Sequence, residues 1–478
     1  MKSHAQNYHL FSALNRNVVY DPRSMRFFVV DAPSAVILRD HRPEALLGGF
    51  GKACLRFGPH RAAASLSSLQ ATGLLRESPP ARATRAEDLR PLSTLELCVT
   101  HACNLACRYC YGSQTEGGCP AATGLLYGAH QAQMSEETAK AGIDLLLAHS
   151  GRLRAVNVVF FGGEPFLNFR LIRAATLYAK RQAARAGKRV RLSAVTNGTR
   201  LTPEVLGFVK ANGIRLQVSM DGPPEIHDVN RPRRGGRGSY AAVRKGLDGL
   251  ATVQGKPPGR ATAAHGNEDA MAVMTHLRPA GCGSVHLEPA LWNSGAATMD
   301  AHDIDRLLAQ EEGLAQSIVD GLDTGEVIDY HALTRLIRDT RVIRERRRYF
   351  CGAGRGLICL TAEGDIYPCH RFAGQEVFRL GSLKEGLDHD KRQPYRRLHV
   401  DARPGCRECW ARHLCGGGCW DHAVGAHGAL ERRDQEKSCR IMRRRLELAM
   451  AANALIAEKS ANASVLMENP RVVSVMAQ

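Results

Sequence analysis

The sequence predicts an α/β fold in which six strands alternate with helices and close into a full or partial barrel. The first observation is a series of six segments with strand character, at 95–99, 156–161, 190–195, 214–219, 260–264 and 284–287. The second is that helical patterns lie between them, which implies parallel pairing with right-handed crossovers. The third is that polar and cysteine motifs directly follow several of these strands, at the end where barrels carry their active sites.

The helices of this central region are predicted from apolar spacing and capping residues. Ser135 is expected to cap a helix that runs to 147, residues 171–184 are apolar at helical spacing, and 269–277 form a shorter candidate. Ahead of this region, 17–21 and 26–31 suggest a hairpin followed by helical segments to residue 75. We therefore expect a small N-terminal α+β domain.

Composition restricts the class of protein further. The chain has 478 residues, 15 cysteines, and 65 Lys and Arg against 47 Asp and Glu, a formal net charge of +18. Its 44% hydrophobic content is ordinary for a globular protein, which excludes fibrous and wholly disordered classes. No apolar run approaches the roughly 20 residues of a membrane span, and the start MKSHAQNYHL has no apolar signal region. We expect a cytoplasmic protein whose cysteines hold metal rather than disulfides.

The distribution of the cysteines along the sequence suggests three regions. We expect an N-terminal region at 1–90 that ends in a Pro- and Arg-rich linker at 76–90, a catalytic core at 91–300, and a C-terminal domain with flanking helices at 301–478. Eight of the cysteines lie in that last region.

A first cysteine group directly follows the first predicted strand. Cys103, Cys107 and Cys110 have the spacing CxxxCxxC, which places three thiolates on one loop. Three ligands can hold a [4Fe–4S] cluster and leave the fourth iron open. A zinc knuckle or buried structural cysteines are the alternative.

The group resembles the signature of the radical S-adenosylmethionine (SAM) superfamily, including the aromatic Tyr109 before the third cysteine. The resemblance implies a partial (βα)6 barrel, SAM bound to the open iron, and a 5′-deoxyadenosyl radical that abstracts hydrogen from carbon. It also implies SAM contacts in three motifs that follow later strands, GGEP, TNG and SxDG. These contacts are Gly162, Gly163, Glu164, Asn197 and Ser219.

Asp221 belongs to the last of these motifs, and its role is open between two possibilities. The resemblance makes it a candidate acid/base or substrate-binding carboxylate, whereas a plain turn would need it only as a cap. His227, Asn230 and Arg231 continue the resemblance and are expected to face the barrel mouth. Glu288, at the end of the sixth strand, is a weaker candidate for the same pocket.

The C-terminal cysteines follow the pattern Cys406-x2-Cys409-x5-Cys415-x3-Cys419, with Cys439 after them and with Cys351 and Gly364-x4-Cys369 before them. This arrangement resembles the SPASM extension of radical SAM enzymes that modify peptides. A zinc ribbon is the alternative for such paired CxxC units. The resemblance implies two auxiliary [4Fe–4S] clusters, and three clusters in all. The first auxiliary cluster would use Cys351, Cys369 and Cys419; the second would use Cys406, Cys409, Cys415 and Cys439. Cys359 is a possible fourth ligand of the first cluster, although the surrounding segment favours a three-ligand cluster with an open iron for a substrate thiolate.

The segment CGAGRGLICLTAEGDIYPCHRFAG resembles thioether-forming peptide maturases, and most nearly the maturation enzymes of quinohaemoprotein amine dehydrogenases. That resemblance implies bonds between Cys sulfur and the side-chain methylene of Asp or Glu in a small Cys- and Asp/Glu-rich protein. It also implies an electron donor such as flavodoxin or ferredoxin. The alternative reaction is formylglycine formation in sulfatases, and an RNA-modifying radical SAM enzyme is more distant.

Two further features remain open. The N-terminal region resembles winged-helix domains that hold precursor peptides through an edge strand, but it could equally be a cap on the barrel. The basic charge fits an acidic protein partner, and no RNA-binding module is recognisable, so we expect no nucleic-acid or membrane partner. A non-enzymatic iron–sulfur carrier would have no use for the GGEP and SxDG motifs.

Overall fold

The computed structural model describes residues 8–39, 43–75, 90–112, 132–292, 295–342 and 346–459. The predicted linker at 76–90 lies outside these ranges except for Arg90. Cys119, which belongs to none of the cysteine groups above, also lies outside them. Among the helices of the described residues, none combines the length and the apolar character needed to cross a membrane.

The strands are β1 (His9–Ala13), β2 (Arg16–Asp21), β3 (Arg26–Val30), β4 (Thr94–Thr100), β5 (Ala155–Gly162), β6 (Arg189–Thr196), β7 (Arg215–Ser219), β8 (Gly259–Ala263), β9 (Val285–Pro289), β10 (Leu357–Leu360), β11 (Asp365–Tyr367), β12 (Gly381–Ser382) and β13 (Gly386–Leu387). The helices are α1 (Ala32–Arg39), α2 (Pro43–Phe57), α3 (Pro59–Ala71), α4 (Glu136–Ala148), α5 (Phe169–Arg185), α6 (Pro203–Asn212), α7 (Pro224–Asn230), α8 (Tyr240–Gln254), α9 (Ala270–Leu277), α10 (Ala301–Thr324), α11 (His331–Arg341), α12 (Gln393–Arg397), α13 (Arg412–Cys415), α14 (Trp420–His427) and α15 (Ser438–Glu458).

The six predicted strands are β4 to β9, and they pair in parallel in the order of the sequence. Helices follow the strands, as the alternating pattern predicts. The α/β partial-barrel prediction is therefore confirmed. The sheet has two ends, so the barrel is partial rather than closed.

Ser135 caps its helix as predicted, and Asp269, the first residue of the candidate at 269–277, is also a cap. Ser135 accepts a hydrogen bond from the Thr138 amide at the start of α4, and Asp269 accepts one from the Ala272 amide at the start of α9. The prediction of three helices in this region was incomplete, because α6, α7 and α8 also lie between β6 and β8.

The N-terminal part differs from the predicted hairpin by one strand. His9–Ala13 adds β1 in front of β2 and β3, which makes a three-stranded antiparallel sheet followed by α1, α2 and α3. This sheet is anchored to the C-terminal part of the chain. The His9 ring stacks on Trp410 with centroids 3.9 Å apart, and Arg16 forms an ion pair of 2.7 Å with Glu458 of α15.

The C-terminal part extends the barrel sheet. β10 pairs in parallel with β4, and the short antiparallel strands β11, β12 and β13 continue outward from it. The region predicted as a domain at 301–478 therefore shares a sheet with the predicted core at 91–300, while the boundaries themselves stay a prediction.

The alternation of side chains decides which residues face the barrel interior. Inward-facing residues of the strands line a single cavity of about 250 Å³ near the strands' C-terminal ends. They include Glu96, Val159, Phe161, Val195, Ser219, Arg260, Thr262 and Glu288.

The packing of α8 against the loop 196–199, which we call the TNG loop, yields a first prediction. A Cβ on Gly246 would lie 2.1 Å from the carbonyl oxygen of Gly198, so Gly246→Ala must displace one backbone against the other. We expect a loss of about 1–3 kcal/mol in the free energy of unfolding, measured by urea denaturation.

Gly207→Ala is the matched control, because a Cβ on this residue of α6 would meet no heavy atom within 4 Å. Its higher helix propensity should add up to about 1 kcal/mol. Equal stability of the two variants would contradict the packing described for α8.

Candidate functional site

The three cysteines of the first motif lie on the loop that follows β4, at the C-terminal end of the barrel. Cys103, Cys107 and Cys110 all line the cavity. Burial raises the pKa of Cys103 to about 11 and that of Cys107 to about 12. Buried thiols held this close become thiolates only with a compensating cation, and thiolate is the form that binds iron. The three residues therefore fit the predicted cluster.

The segment 223–239, which carries His227, Asn230 and Arg231, holds this cysteine loop in place. The Arg108 amide donates to the Asn230 carbonyl over 3.0 Å, and Arg234 Nε donates to the Cys103 carbonyl over 2.7 Å. His227, Asn230 and Arg231 are all buried, and Arg231 lines the cavity. The His227 ring accepts from the Asp221 amide and is hydrogen-bonded to Ser239, so it braces the segment behind the loop. That these residues face the substrate stays a prediction.

Asp221 is fully buried and its carboxylate is already surrounded by donors. Arg231 Nε donates to Oδ1 over 3.0 Å, the Thr262 amide donates to the same oxygen over 3.1 Å, and the Tyr109 hydroxyl donates to Oδ2. Asp221 is not among the residues that line the cavity. Asp221 therefore ties the cysteine loop to β8, and its role as an acid/base or substrate-binding carboxylate stays a prediction.

Arg231 connects this buried cluster to the cavity. Its guanidinium lies 3.9 Å from Cys107 Sγ and 5.3 Å from the centre of the Tyr109 ring. The carboxylate of Asp221, together with the hydroxyl of Tyr109, keeps the pKa of Arg231 above its usual value despite burial. A permanent positive charge beside Cys107 favours the thiolate form of that cysteine.

The glycines of the GGEP motif bring two loops into contact. A Cβ on Gly162 would lie 2.2 Å from the Thr100 carbonyl oxygen, and one on Gly163 would lie 2.3 Å from that of Ala102. Both glycines line the cavity. Only glycine allows this backbone to pass so close to the cysteine loop.

Glu164 of the same motif is fully buried behind these glycines. Oε1 accepts from the Thr196 hydroxyl over 2.7 Å and from the Phe166 amide over 3.1 Å, while Oε2 accepts from the Asn197 amide over 2.7 Å. Burial raises the pKa of this carboxyl to about 7 against the effect of these donors. Through these bonds Glu164 fastens the TNG loop, and its contact with the SAM ammonium stays a prediction.

Asn197 and Ser219 do line the cavity, where the resemblance places SAM contacts. The Asn197 side chain donates to Asn104 Oδ1 over 2.9 Å and accepts from the Thr199 hydroxyl over 2.7 Å, so its orientation is fixed from both sides. That both residues contact SAM stays a prediction.

Several cavity residues could not be selected from sequence motifs, because they come from separate strands and from the C-terminal part. Nδ1 of His370 lies 2.9 Å from Oε1 of Glu96, which accepts its hydrogen bond. The Arg371 guanidinium lies 4.4 Å from the centre of the Tyr111 ring and 3.5 Å from the Asp421 carboxylate. The remaining cavity residues of this kind are Arg260, Trp292 and His422. Glu288, the weaker candidate from the sequence, also lines the cavity.

The three cysteines assigned to the first auxiliary cluster are brought together across the C-terminal part. The thiols of Cys351, Cys369 and Cys419 interact electrostatically with one another, and burial raises the pKa of Cys419 to about 12. The donor atoms of Asp421 and His422 lie within 4.8 Å of the Cys419 sulfur and of each other. The predicted site of the first auxiliary cluster therefore has three thiols, with the donor atoms of Asp421 and His422 beside them.

The four cysteines assigned to the second auxiliary cluster also lie together. Cys406, Cys409, Cys415 and Cys439 line one small cavity, and burial raises the pKa of Cys415 to about 12. This donor set fits a four-thiolate iron–sulfur cluster and, equally by ligand type, zinc. The ligand assignment stays a prediction.

Cys359 lies apart from this arrangement. It is fully buried on β10, and its sulfur is 3.4 Å from the sulfur of Cys98 on the neighbouring strand β4. Cys369 is close enough to raise the pKa of Cys359, but the shortest sulfur contact is with Cys98. The structure therefore favours the three-cysteine first cluster.

The cysteine loop, the glycine-rich turn beside it and the cavity at the barrel mouth define a metal-dependent enzyme of the α/β partial-barrel class. Residues 97–257 match the model of the radical SAM superfamily. This part of the chain is a radical SAM domain, and the protein is a radical SAM superfamily enzyme. Membership of this superfamily implies a [4Fe–4S] cluster and SAM.

Curated relatives extend the similarity beyond that domain. A serine-type anaerobic sulfatase-maturating enzyme of Klebsiella pneumoniae is 24% identical over 334 residues, which are 67% of this chain and 80% of that protein. The mycofactocin maturase MftC of Mycolicibacterium smegmatis is 25% identical over 339 residues, 67% of this chain and 76% of that protein.

Solved structures show the same fold. Native anSMEcpe with bound AdoMet and Cp18Cys peptide superposes with a TM-score of 0.63 at 17% identity, covering 77% of this chain and 99% of that chain. SuiB of Streptococcus suis bound to the precursor peptide SuiA has a TM-score of 0.52 at 13% identity and covers 92% of this chain and all of the other.

The buried position of Asp221 yields a second prediction. Asp221→Ala leaves the Arg231 charge buried without its carboxylate, so we expect a loss of about 3–5 kcal/mol in the free energy of unfolding. Asp248→Ala is the control, since Asp248 forms an exposed pair with Arg244 on α8 and should cost less than about 1 kcal/mol. If Asp221→Ala kept full stability and iron content but lost turnover, Asp221 would be the acid/base after all.

Cys359 yields a third prediction. We expect Cys359→Ala to keep the iron content of the wild type, because its sulfur faces Cys98 rather than the cluster group. Cys419→Ala is the positive control and should lose iron. The measurement is iron per chain after anaerobic reconstitution, and a loss of about one cluster's worth from Cys359→Ala would refute the three-cysteine assignment.

Proposed function

We propose that this enzyme forms thioether bonds in a small Cys- and Asp/Glu-rich protein, joining a cysteine sulfur to the side-chain methylene of an acidic residue. The observation that carries the proposal is the extent of the cavity. Its lining includes Cys103, Cys107 and Cys110 and also His370, Arg371 and His422. The latter three are chain neighbours of Cys369 and Cys419, two of the cysteines assigned to the first auxiliary cluster.

The chain's own residues would divide the task along this cavity. Cys103, Cys107 and Cys110 would hold the cluster that binds SAM, and Asn197 and Ser219 would orient SAM beside it. When bound, these two groups together supply a 5′-deoxyadenosyl radical, which can abstract hydrogen from unactivated carbon. The strand walls of the barrel keep water from the reacting carbon.

The second half of the reaction needs a sulfur held near that carbon. With Cys351, Cys369 and Cys419 as its only cysteine ligands, the first auxiliary cluster would have an open iron that can take a substrate thiolate. His422 has a donor atom within 4.8 Å of the Cys419 sulfur and also lines the cavity, which supports this position as the place where the substrate sulfur would be held.

The balance of the reaction is simple to state. One hydrogen leaves carbon, one leaves sulfur, and a C–S bond forms, so the product is about two hydrogens lighter per bond. SAM takes the carbon hydrogen as 5′-deoxyadenosine, and a one-electron acceptor takes the remaining electron. The two auxiliary clusters, which with the SAM-binding cluster would make three in all, would serve as such an acceptor. A flavodoxin or ferredoxin would supply the electron that starts each cycle.

The relatives support action on peptides in general. The similar chains include maturating enzymes of sulfatases and a mycofactocin maturase, and SuiB is seen with a precursor peptide. The sulfatase-maturating relatives favour a second candidate function, the oxidation of a Cys or Ser to formylglycine. Both reactions start with hydrogen abstraction, so the product distinguishes them.

The test is to find short, Cys- and acid-rich reading frames beside this gene and to incubate the encoded protein anaerobically with the reconstituted enzyme, SAM and reductant. We expect a mass decrease of about two hydrogens per bond and cysteines that no longer react with iodoacetamide. Cys351→Ala provides a control that keeps the SAM-binding cysteines. An aldehyde that reacts with hydrazide probes would instead establish formylglycine formation. In that case the cysteines would still react with iodoacetamide, except for a cysteine that is itself converted to the aldehyde.

A further inference from the structure

Arg260 is an arginine of the cavity wall whose guanidinium has no hydrogen-bonded partner among the described residues. It lies on β8 with its side chain directed into the barrel, and it lines the cavity. Within the described ranges, no acceptor is hydrogen-bonded to its guanidinium and no carboxylate oxygen lies within 4 Å of it. Its backbone carbonyl accepts a hydrogen bond from the Met220 amide over 2.8 Å.

Other buried arginines near the cavity are paired. Arg231 has Asp221 at 3.0 Å, and Arg371 has Asp421 at 3.5 Å. The acidic residue whose charge acts on Arg260 is Glu288, and its carboxylate is 3.4 Å from His286. Among the described residues, Arg260 therefore differs from these two arginines in having no carboxylate within ion-pair distance.

The surroundings make this charge costly unless an anion is added. Burial together with the positive charges of Arg371 and Arg231 lowers the pKa of Arg260, and only Glu288 and Tyr111 act in the opposite direction. A guanidinium presents a planar set of donors that matches the two oxygens of a carboxylate. The arrangement is that of a preformed anion site.

We propose that Arg260 binds a carboxylate group in the reacting complex. Two molecules of the proposed reaction carry one: SAM, through its methionine carboxylate, and the substrate, through its Asp or Glu side chain. The position fits both sources, because Ser219, a predicted SAM contact, is the strand partner of Arg260, while Arg371, two residues after Cys369, interacts with it electrostatically. The substrate source rests on the proposed function, and the SAM source does not.

The first arm of the test examines SAM. Equilibrium dialysis of the reconstituted enzyme compares the affinities of SAM and decarboxylated SAM for the wild type and for Arg260→Gln. If Arg260 holds the SAM carboxylate, the ratio of the two affinities should fall about 10- to 100-fold in the variant, as expected for a charged hydrogen bond.

The second arm examines an acidic side chain. Fluorescence anisotropy in saturating SAM compares two labelled synthetic peptides with one Cys each, one with Asp and the other with Asn beside it. If Arg260 holds the substrate carboxylate, the wild type should prefer the Asp peptide about 10- to 100-fold, and Arg260→Gln should lose this preference. Arg260→Lys should keep part of the preference in whichever arm responds, because it retains the charge without the planar donor set.

Arg215→Gln is the matched control, since Arg215 is an exposed residue at the opposite end of the neighbouring strand β7. It removes the same charge and should change neither ratio. Iron content confirms that each variant is loaded. If Arg260→Gln leaves the SAM ratio unchanged, and the wild type does not prefer the Asp peptide or the variant keeps that preference, Arg260 is no carboxylate site.

The outcome is separable from that of the proposed function. Thioether products without carboxylate discrimination in either arm would refute only the role of Arg260. Discrimination in binding together with an aldehyde product would refute only the thioether reaction.

Discussion

The buried pair of Asp221 and Arg231 is the interaction on which the site depends. Neither charge can be buried alone without a large free-energy cost, so each fixes the position of the other. Through this pair the end of β7, the amide of Thr262 on β8 and the hydroxyl of Tyr109 in the cysteine loop meet at one carboxylate. The cysteine loop has little regular structure of its own, and it takes its place above the barrel largely from these contacts.

Much of the barrel could be predicted from sequence because its signals are local. Strand character at 156–161 and the caps Ser135 and Asp269 act over a few residues, and the structure has elements at these places. The cysteine groupings were also accessible, since spacing within a motif determines which sulfurs can meet. β1 was missed because its residues HLFSA form a short edge strand without an apolar alternation strong enough to stand out.

The roles of individual polar residues were less accessible, because they depend on burial and on distant partners. Glu164 belongs to a motif that suggests a ligand contact, yet its oxygens accept from residues of the TNG loop 32 or 33 positions away. Arg371 enters the cavity only because the C-terminal part adds to the same sheet. Nothing in the local sequence of Cys98 and Cys359 indicates that their sulfurs meet across two strands that are 261 positions apart.

The parallel pairing of β10 with β4 also bears on how the chain is protected from other chains. An uncovered parallel strand at the end of a sheet exposes a row of backbone N–H and C=O groups that can pair with another molecule. In this protein β10 caps that edge of β4, and the small strands β11 to β13 end the sheet. A chain shortened before residue 346 would leave β4, the strand that leads into the catalytic cysteines, as an exposed edge strand that can pair with another chain. The C-terminal part thus protects the barrel from aggregation in addition to contributing cysteines.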